Sequence, residues 1–203
     1  MQAGPSSSTN DELDREGYVI LRGVLDRGFL DRLRRAFEDT YGQKQGTQHI
    51  RVVPSLKELE SWQKLTELPE LRALVEHVLA RPFAVDSHGR NPFSGYGEEG
   101  MHTNSLSRTD GSPVDKVSAV AMLDDFARDN GATRVVPGSH KIAGPIPKAT
   151  AQPLARHPNE KVMFGSAGDI LVMHGDLWHS DTRNDSDRPR RAIQMLFRAL
   201  PPA

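Results

Sequence analysis

The pattern of apolar and polar positions changes character near residue 82. Upstream of it, apolar residues recur at helical spacing. Leu30, Leu33 and Phe37 share one face of a helix predicted over residues 29–41, with Asp26 placed to cap it. A short acidic helix is predicted over residues 11–16, capped from among Ser8, Thr9 and Asn10 and closed by Gly17. Tyr18, Val19, Ile20 and Leu21 then read as a strand. Ser55 or Ser61 opens further helix that runs to Leu79 and is interrupted near Pro69. Its Leu71, Leu74, Val75 and Val78 form a stripe read as plain core packing.

Downstream the period shortens. Residues 83–87, 117–123, 133–136, 162–164, 170–173 and 192–197 are short apolar or alternating runs separated by Gly, Pro, Asn and Asp clusters. Many short strands with no helix between them predict an antiparallel sandwich or barrel, mainly β with flanking α, rather than βαβ units. A jelly roll with the N-terminal helices packed outside it uses both halves of the chain. In such a barrel the loops and strand ends at one mouth build the site. The candidate mouth loops are residues 42–49, 91–100, 107–115 and 141–160.

Composition narrows the function. The 203 residues suit one domain spanning 1–203, with residues 1–10 expected to be flexible. Lys and Arg number 26 against 27 Asp and Glu, for a net charge of −1, so there is no basic field for nucleic acid or an anionic membrane. With no cysteine there is no disulfide, thiolate metal site or thiol nucleophile. Residues 1–10 lack the apolar core of a signal peptide and no run suits a membrane span, so a cytoplasmic protein is the expectation.

Eight histidines are present and context prunes them. His140 lies in the turn-forming Val135-Val136-Pro137-Gly138-Ser139-His140 and reads as structural; His49, His77 and His157 sit among polar or helical neighbours. His88 and Arg90 follow a predicted strand and are candidates to line a pocket. His174 and Asp176 stand close to His179, but three ligands within six residues would need a tight irregular turn, so packing or support of a ligand suits them better. His102 and His179 remain, each near the end of a strand-like run. Two imidazoles plus one carboxylate, with open positions opposite, describe a non-haem Fe(II) site.

Met122-Leu123-Asp124-Asp125-Phe126, then Asp129 to Arg134 and Val135 to His140, resemble the central block of the phytanoyl-CoA dioxygenase-like family of Fe(II)/2-oxoglutarate-dependent oxygenases. Gly168-Asp169-Ile170, Trp178-His179-Ser180, Asn184 and Arg190 resemble its distal block, and Gly17 to Ile20 with Gly23 and Leu25 its first strand. The resemblance runs from about residue 11 to 198. It implies a double-stranded β-helix, a cupin-like jelly roll. It also implies Fe(II), 2-oxoglutarate and O2, with His102 and His179 on the metal and Arg190 on the far carboxylate of 2-oxoglutarate, a role that suits a planar, permanently charged fork. Ser118 is a candidate for a further hydroxyl contact to the cosubstrate, and Thr103 and Ser105 for facing the pocket.

One position departs from that pattern. His102-Thr103-Asn104 carries an amide where the family has its Asp ligand. Asn is nearly isosteric, but its oxygen is a weaker, neutral donor. The leading expectation is an oxygenase, most simply a hydroxylase, that oxidises a small polar organic substrate with Asn104 at the third metal position. The alternatives are a non-catalytic ligand-binding relative, a halogenase or other oxidative variant, a replacement acid from Glu98 or Glu99, and a cupin-type enzyme using another divalent metal without 2-oxoglutarate.

Overall fold

A computed structural model describes residues 7–41, 49–51, 60–105, 107 and 111–201. Helix α1 (Ser7–Glu16) leads into strand β1 (Tyr18–Leu21), and α2 (Arg27–Tyr41), β2 (His49–Arg51), α3 (Glu60–Thr66) and α4 (Pro69–Leu79) follow. The remainder is strand and loop: β3 (Phe83–Arg90), β4 (Lys116–Met122), β5 (Thr133–Val135), β6 (Lys161–Val162), β7 (Ile170–His174), β8 (His179–Asp181) and β9 (Ala192–Ala199), with a 3₁₀ turn at Ser139–Lys141. The strands form a six-stranded sheet ordered β1-β7-β4-β9-β3-β2 and a three-stranded sheet ordered β6-β5-β8, and every pairing is antiparallel. This is the expected jelly roll, with helices laid on the outside of the larger sheet.

Strand alternation sorts the larger sheet into two faces. Val117, Ala119, Ala121, Ile193, Met195 and Phe197 point toward the helices and meet Leu33, Phe37, Leu65, Leu71, Leu74 and Val75 in one core. Val120, Met122, Leu171, Met173 and Ala192 point the other way, to meet Phe126, Val135 and Met163 between the sheets. The stripe on α4 is core as predicted, Leu71, Leu74 and Val75 being 0% exposed. Asp26 caps α2 by accepting the Phe29 N–H at 2.8 Å, and Pro69 occupies the first turn of α4, where its missing N–H costs nothing.

Several boundaries move. Residues 7–10, expected to be flexible or to act as caps, are the first turn of α1; Leu13, 1% exposed in the core, anchors that helix where its polar start alone would not. Residues 1–6 of the segment expected to be flexible, residues 55–59 of the predicted helix, and residues 42–48 and 108–110 of the candidate mouth loops lie outside the described residues. Strand β3 runs on to Arg90 instead of stopping at Ser87, because β9 pairs with it along its whole length. Gly89 makes this passage feasible: a Cβ there would come within 2.6 Å of Phe37 and Tyr41 on α2. At Gly17, φ is +82° and an added Cβ would sit 2.4 Å from the His140 ring, so the chain turns from α1 into β1 only without a side chain. His140 is structural as expected, its Nε2 lying 3.1 Å from the carbonyl of Asp14.

Candidate metal and cosubstrate site

His102 and His179 come together although 77 positions separate them. The segment carrying His102 joins the smaller sheet by a single bridge, in which the His102 N–H donates to the His179 carbonyl at 2.9 Å and the His179 N–H returns the bond at 3.0 Å. The ring centroids lie 4.4 Å apart. Each Nδ1 lies against a main-chain carbonyl two residues earlier, His102 on Gly100 at 2.9 Å and His179 on Leu177 at 2.8 Å. A carbonyl only accepts, so Nδ1 carries the proton and Nε2 is the basic nitrogen on both rings, the tautomer a metal ligand needs. Burial, followed by the neighbouring His102, pushes His179 down to about 3, so its ring is neutral at physiological pH.

Asn104 belongs to the same cluster. Its Nδ2 lies 3.2 Å from His179 Nε2, and turning the amide over would bring Oδ1 to that place. The Gly175 carbonyl accepts from both Asn104 N–H (2.9 Å) and Ser105 N–H (2.8 Å), which fixes the backbone. The hydroxyls of Thr103 and Ser105 are taken up locally: Thr103 Oγ1 donates to the Ser105 carbonyl at 2.7 Å and Ser105 Oγ to Asp115 at 2.6 Å, so both build the turn that presents Asn104. Among the described residues no three His, Asp or Glu side chains gather as a metal site, so no acid replaces Asn104. Glu99 instead holds Arg90 at 2.8 Å, and Glu98 faces a separate cleft with Arg128, Arg134 and Arg156. Asp176 accepts from Ser107, and His174 packs against His140 with ring centroids 5.0 Å apart.

Arg190 is the second feature. Arg190 is 1% exposed, pairs with Asp181 at 2.8 Å and stacks 4.8 Å from the centroid of Phe126. Its Nε and Nη1 have no hydrogen-bond partner among the described residues. A buried guanidinium with idle N–H groups is costly to leave so, and its donors are of the kind that suit a carboxylate. Asn184 holds the loop before Arg190, its amide donating to the carbonyls of Pro92 (2.9 Å) and Arg188 (3.0 Å). Ser118 is fully buried on the inner face and receives a 3.4 Å bond from Gln194, whose Oε1 accepts from Arg90 at 3.1 Å. It therefore reaches Arg190 only through that chain of polar groups.

Sequence reading did not single out Asp181 or bring Arg90 into this centre. Arg90 is 8% exposed and lies 3.1 Å from Asp181. Burial alone would raise the Asp181 carboxyl, but the Arg90 and Arg190 guanidiniums outweigh it and hold it well below the usual carboxylate range. A signal was present, since His179-Ser180-Asp181 puts a carboxylate two residues from a ligand candidate, on the same side of a strand. On the opposite face of the smaller sheet, Arg134 gathers Ser180 (2.6 Å), the Ala155 carbonyl (2.6 Å) and Glu160 (2.9 Å). It thereby seats part of the expected mouth loop 141–160 against the outside of the barrel. The same loop touches the site's approach at Gly100, where a Cβ would lie 2.0 Å from the Ala151 carbonyl.

A double-layered antiparallel roll with two inward histidines and a buried arginine defines a class of cupin-like oxygenases. Residues 69–192 match the family model described as phytanoyl-CoA dioxygenase, and the chain belongs to that family of dioxygenases. An uncharacterized protein of Mycobacterium tuberculosis (strain ATCC 25618 / H37Rv), Rv1501, is 30% identical over 92% of this chain and 73% of its own length. The dioxygenase cdmA of Talaromyces verruculosus is 25% identical over 91% of this chain and 70% of its own. Among solved structures, HygX from Streptomyces hygroscopicus with nickel and 2-oxoglutarate bound superposes with a TM-score of 0.82 at 20% identity, covering 97% of this chain and 88% of that one. EctD from S. alaskensis with bound Fe gives 0.78 at 18% identity, covering 96% and 77%. At such identities the likeness is one of fold. Among the described residues no helix is long and apolar enough to cross a membrane.

Proposed function

We propose that this chain is an Fe(II)/2-oxoglutarate-dependent oxygenase that oxidises, most simply hydroxylates, a small polar organic molecule. The observation that carries it is the pairing of two imidazoles locked with Nε2 basic, one of them on the strand whose Asp181 pairs with a buried guanidinium that has Nε and Nη1 idle. His102 and His179 would hold the metal, Asn104 would offer its amide oxygen after turning over, and Arg190 would grip the far carboxylate of 2-oxoglutarate. When bound, Fe(II) and 2-oxoglutarate would supply the electrons that activate O2, which is the oxidant. The protein's part is to orient and to exclude water. The Gly100 and Leu177 carbonyls hold the rings; the Gly175 carbonyl holds the turn that presents Asn104; the Phe126 ring stacks on Arg190. The floor beyond Arg90 is polar, with Gln194 and Ser118 inward, which suits a hydrophilic substrate better than a lipid chain. HygX has been crystallised with hygromycin B, a precedent for such a substrate on this fold.

Succinate release from 2-oxoglutarate under air with added Fe(II), together with a metal-to-cosubstrate absorption band without O2, tests the proposal. Absence of both sinks it. One observation favours a second reading, a binding protein without turnover: Asn104 Nδ2 faces the nitrogen of His179 that a metal would use. That reading predicts 2-oxoglutarate or substrate binding with no succinate. A halogenase is disfavoured because Asn104 fills the place a halide would need.

A further inference from the structure

The proposed chemistry uses Arg190 and leaves Asp181 and Arg90 without a task. Asp181 is 4% exposed; it accepts from Thr133 Oγ1 at 2.7 Å on Oδ1 and from Arg190 Nη2 at 2.8 Å on Oδ2, and the same Oδ2 is ion-paired with Arg90 Nη2 at 3.1 Å. Arg90 is held in turn by Glu99 at 2.8 Å and by Gln194 at 3.1 Å. Two guanidiniums this close in a low-dielectric interior repel each other, and a shared carboxylate oxygen between them is what makes the arrangement tenable. Asp181 also takes only part of the Arg190 fork. A guanidinium has five N–H bonds, two of them on Nη2, so one Nη2 hydrogen on Asp181 leaves Nη1, Nε and the other Nη2 hydrogen for a ligand.

We propose that Asp181 is the positioning residue of the cosubstrate pocket. By accepting from Arg190 and pairing its charge with Arg90 through the same oxygen, it fixes the plane of the Arg190 fork and keeps its idle donors turned toward the acid end of 2-oxoglutarate. The assignment rests on the function proposed above. Asp181 is unsuited to the metal itself, since its carboxylate already holds two hydrogen bonds and an ion pair, and no acid joins the two histidines among the described residues. Strand geometry adds a reason for placing the clamp here. His179 and Asp181 lie on one face of β8, two residues or roughly 6–7 Å apart. A single rigid strand thus sets the spacing between a metal ligand and the residue that aims the carboxylate grip, which is the spacing a keto diacid has to span.

Asp181→Asn and Thr133→Val in the full chain test this. Thr133→Val removes one hydrogen bond to Asp181 while keeping shape and every charge, so it remains informative should the Asp181 variant not fold. Ni(II) is titrated first, and 2-oxoglutarate is then titrated calorimetrically into the Ni(II)-loaded protein without O2. The 2-oxoglutarate dissociation constant is expected to rise about tenfold in Asp181→Asn and about threefold in Thr133→Val, with the Ni(II) constant within about twofold of the parent in both. In turnover with Fe(II), KM for 2-oxoglutarate rises by a larger factor than kcat falls. Unchanged 2-oxoglutarate affinity in the folded variants overturns the assignment. So does tighter binding, which would make Asp181 a competitor for the fork. An unmutated protein that binds Ni(II) but no 2-oxoglutarate fails the proposed function itself, a different result from a defect confined to the variants.

Discussion

The main chains of His102 and His179 exchange both of their hydrogen bonds, at 2.9 and 3.0 Å, so the two rings are juxtaposed by backbone pairing rather than by side-chain contacts. The separation of the candidate ligands is therefore built into the fold and should tolerate changes in neighbouring side chains.

Asn104 is the clearest target. Replacing it with Asp restores an anionic oxygen beside His179 without changing volume. Asn104→Asp is expected to tighten Fe(II) binding by at least about tenfold, equivalent to about 1.4 kcal/mol. Anaerobic titration measures it, and equal or weaker affinity would remove Asn104 from the metal.

Arg190→Lys keeps the charge but loses the fork and the stacking on Phe126. Lys offers a point charge where two idle N–H groups on a plane are required. KM for 2-oxoglutarate should rise on the order of 10- to 100-fold. Fe(II) affinity, read by titration without cosubstrate, should change little.

Leu74→Ala probes the helix-facing core away from the site. Leu74 is fully buried against the larger sheet, so the cavity left behind should lower stability by about 2–5 kcal/mol in chemical denaturation. The affinities for metal and 2-oxoglutarate in the folded fraction should stay at parent values. A parallel loss of cosubstrate affinity would show that the sheet transmits core strain to β8.

Asp169 gives the fold a pH dependence. Burial alone would raise its carboxyl, but the N–H groups of Gly23 and Ser166 and the guanidinium of Arg22 outweigh burial and hold it below 3.8. A carboxylate depressed in the folded state adds stability that is complete well above the unfolded value of about 3.9 and is lost as pH falls through the folded value. Asp169→Asn should therefore cost about 1–3 kcal/mol at pH 7, and the gap to the parent should close once the pH drops below the ordinary carboxylate range. Urea midpoints at several pH values measure this; a gap independent of pH would refute it.

How far the sequence carries depends on which residues form each element. The caps and stripes of the N-terminal half were legible because Asp26, Pro69 and the Leu71, Leu74, Val75 face obey local rules. The strands packed on both faces were found from their apolar runs. Strand β8 was not, since His179, Ser180 and Asp181 offer no apolar alternation; its pairing comes from β5 and from the bridge to His102. The short strand β2, at the edge of the larger sheet beside β3, escaped for the same reason. Arg90 was placed after a strand because Ser87-His88-Gly89-Arg90 looks like a turn, whereas β9 and the helix lying over Gly89 extend β3 through it. The convergence of His102, His179 and Arg190 followed from family resemblance, and no local pattern contains it. The ties of Asp181 to both arginines belong to three-dimensional structure alone.

The single bridge that docks the His102 segment onto β8 has a further effect. An ion drawn to both rings would act as a rivet across that seam, reinforcing the paired amides of His102 and His179 and the Glu99 N–H bond to the Asp181 carbonyl. Loading the metal should therefore slow hydrogen exchange at the His102 and His179 amides and shield residues 91–105 from proteases, so that assembly of the reactive centre and closure of this stretch of chain happen as one event.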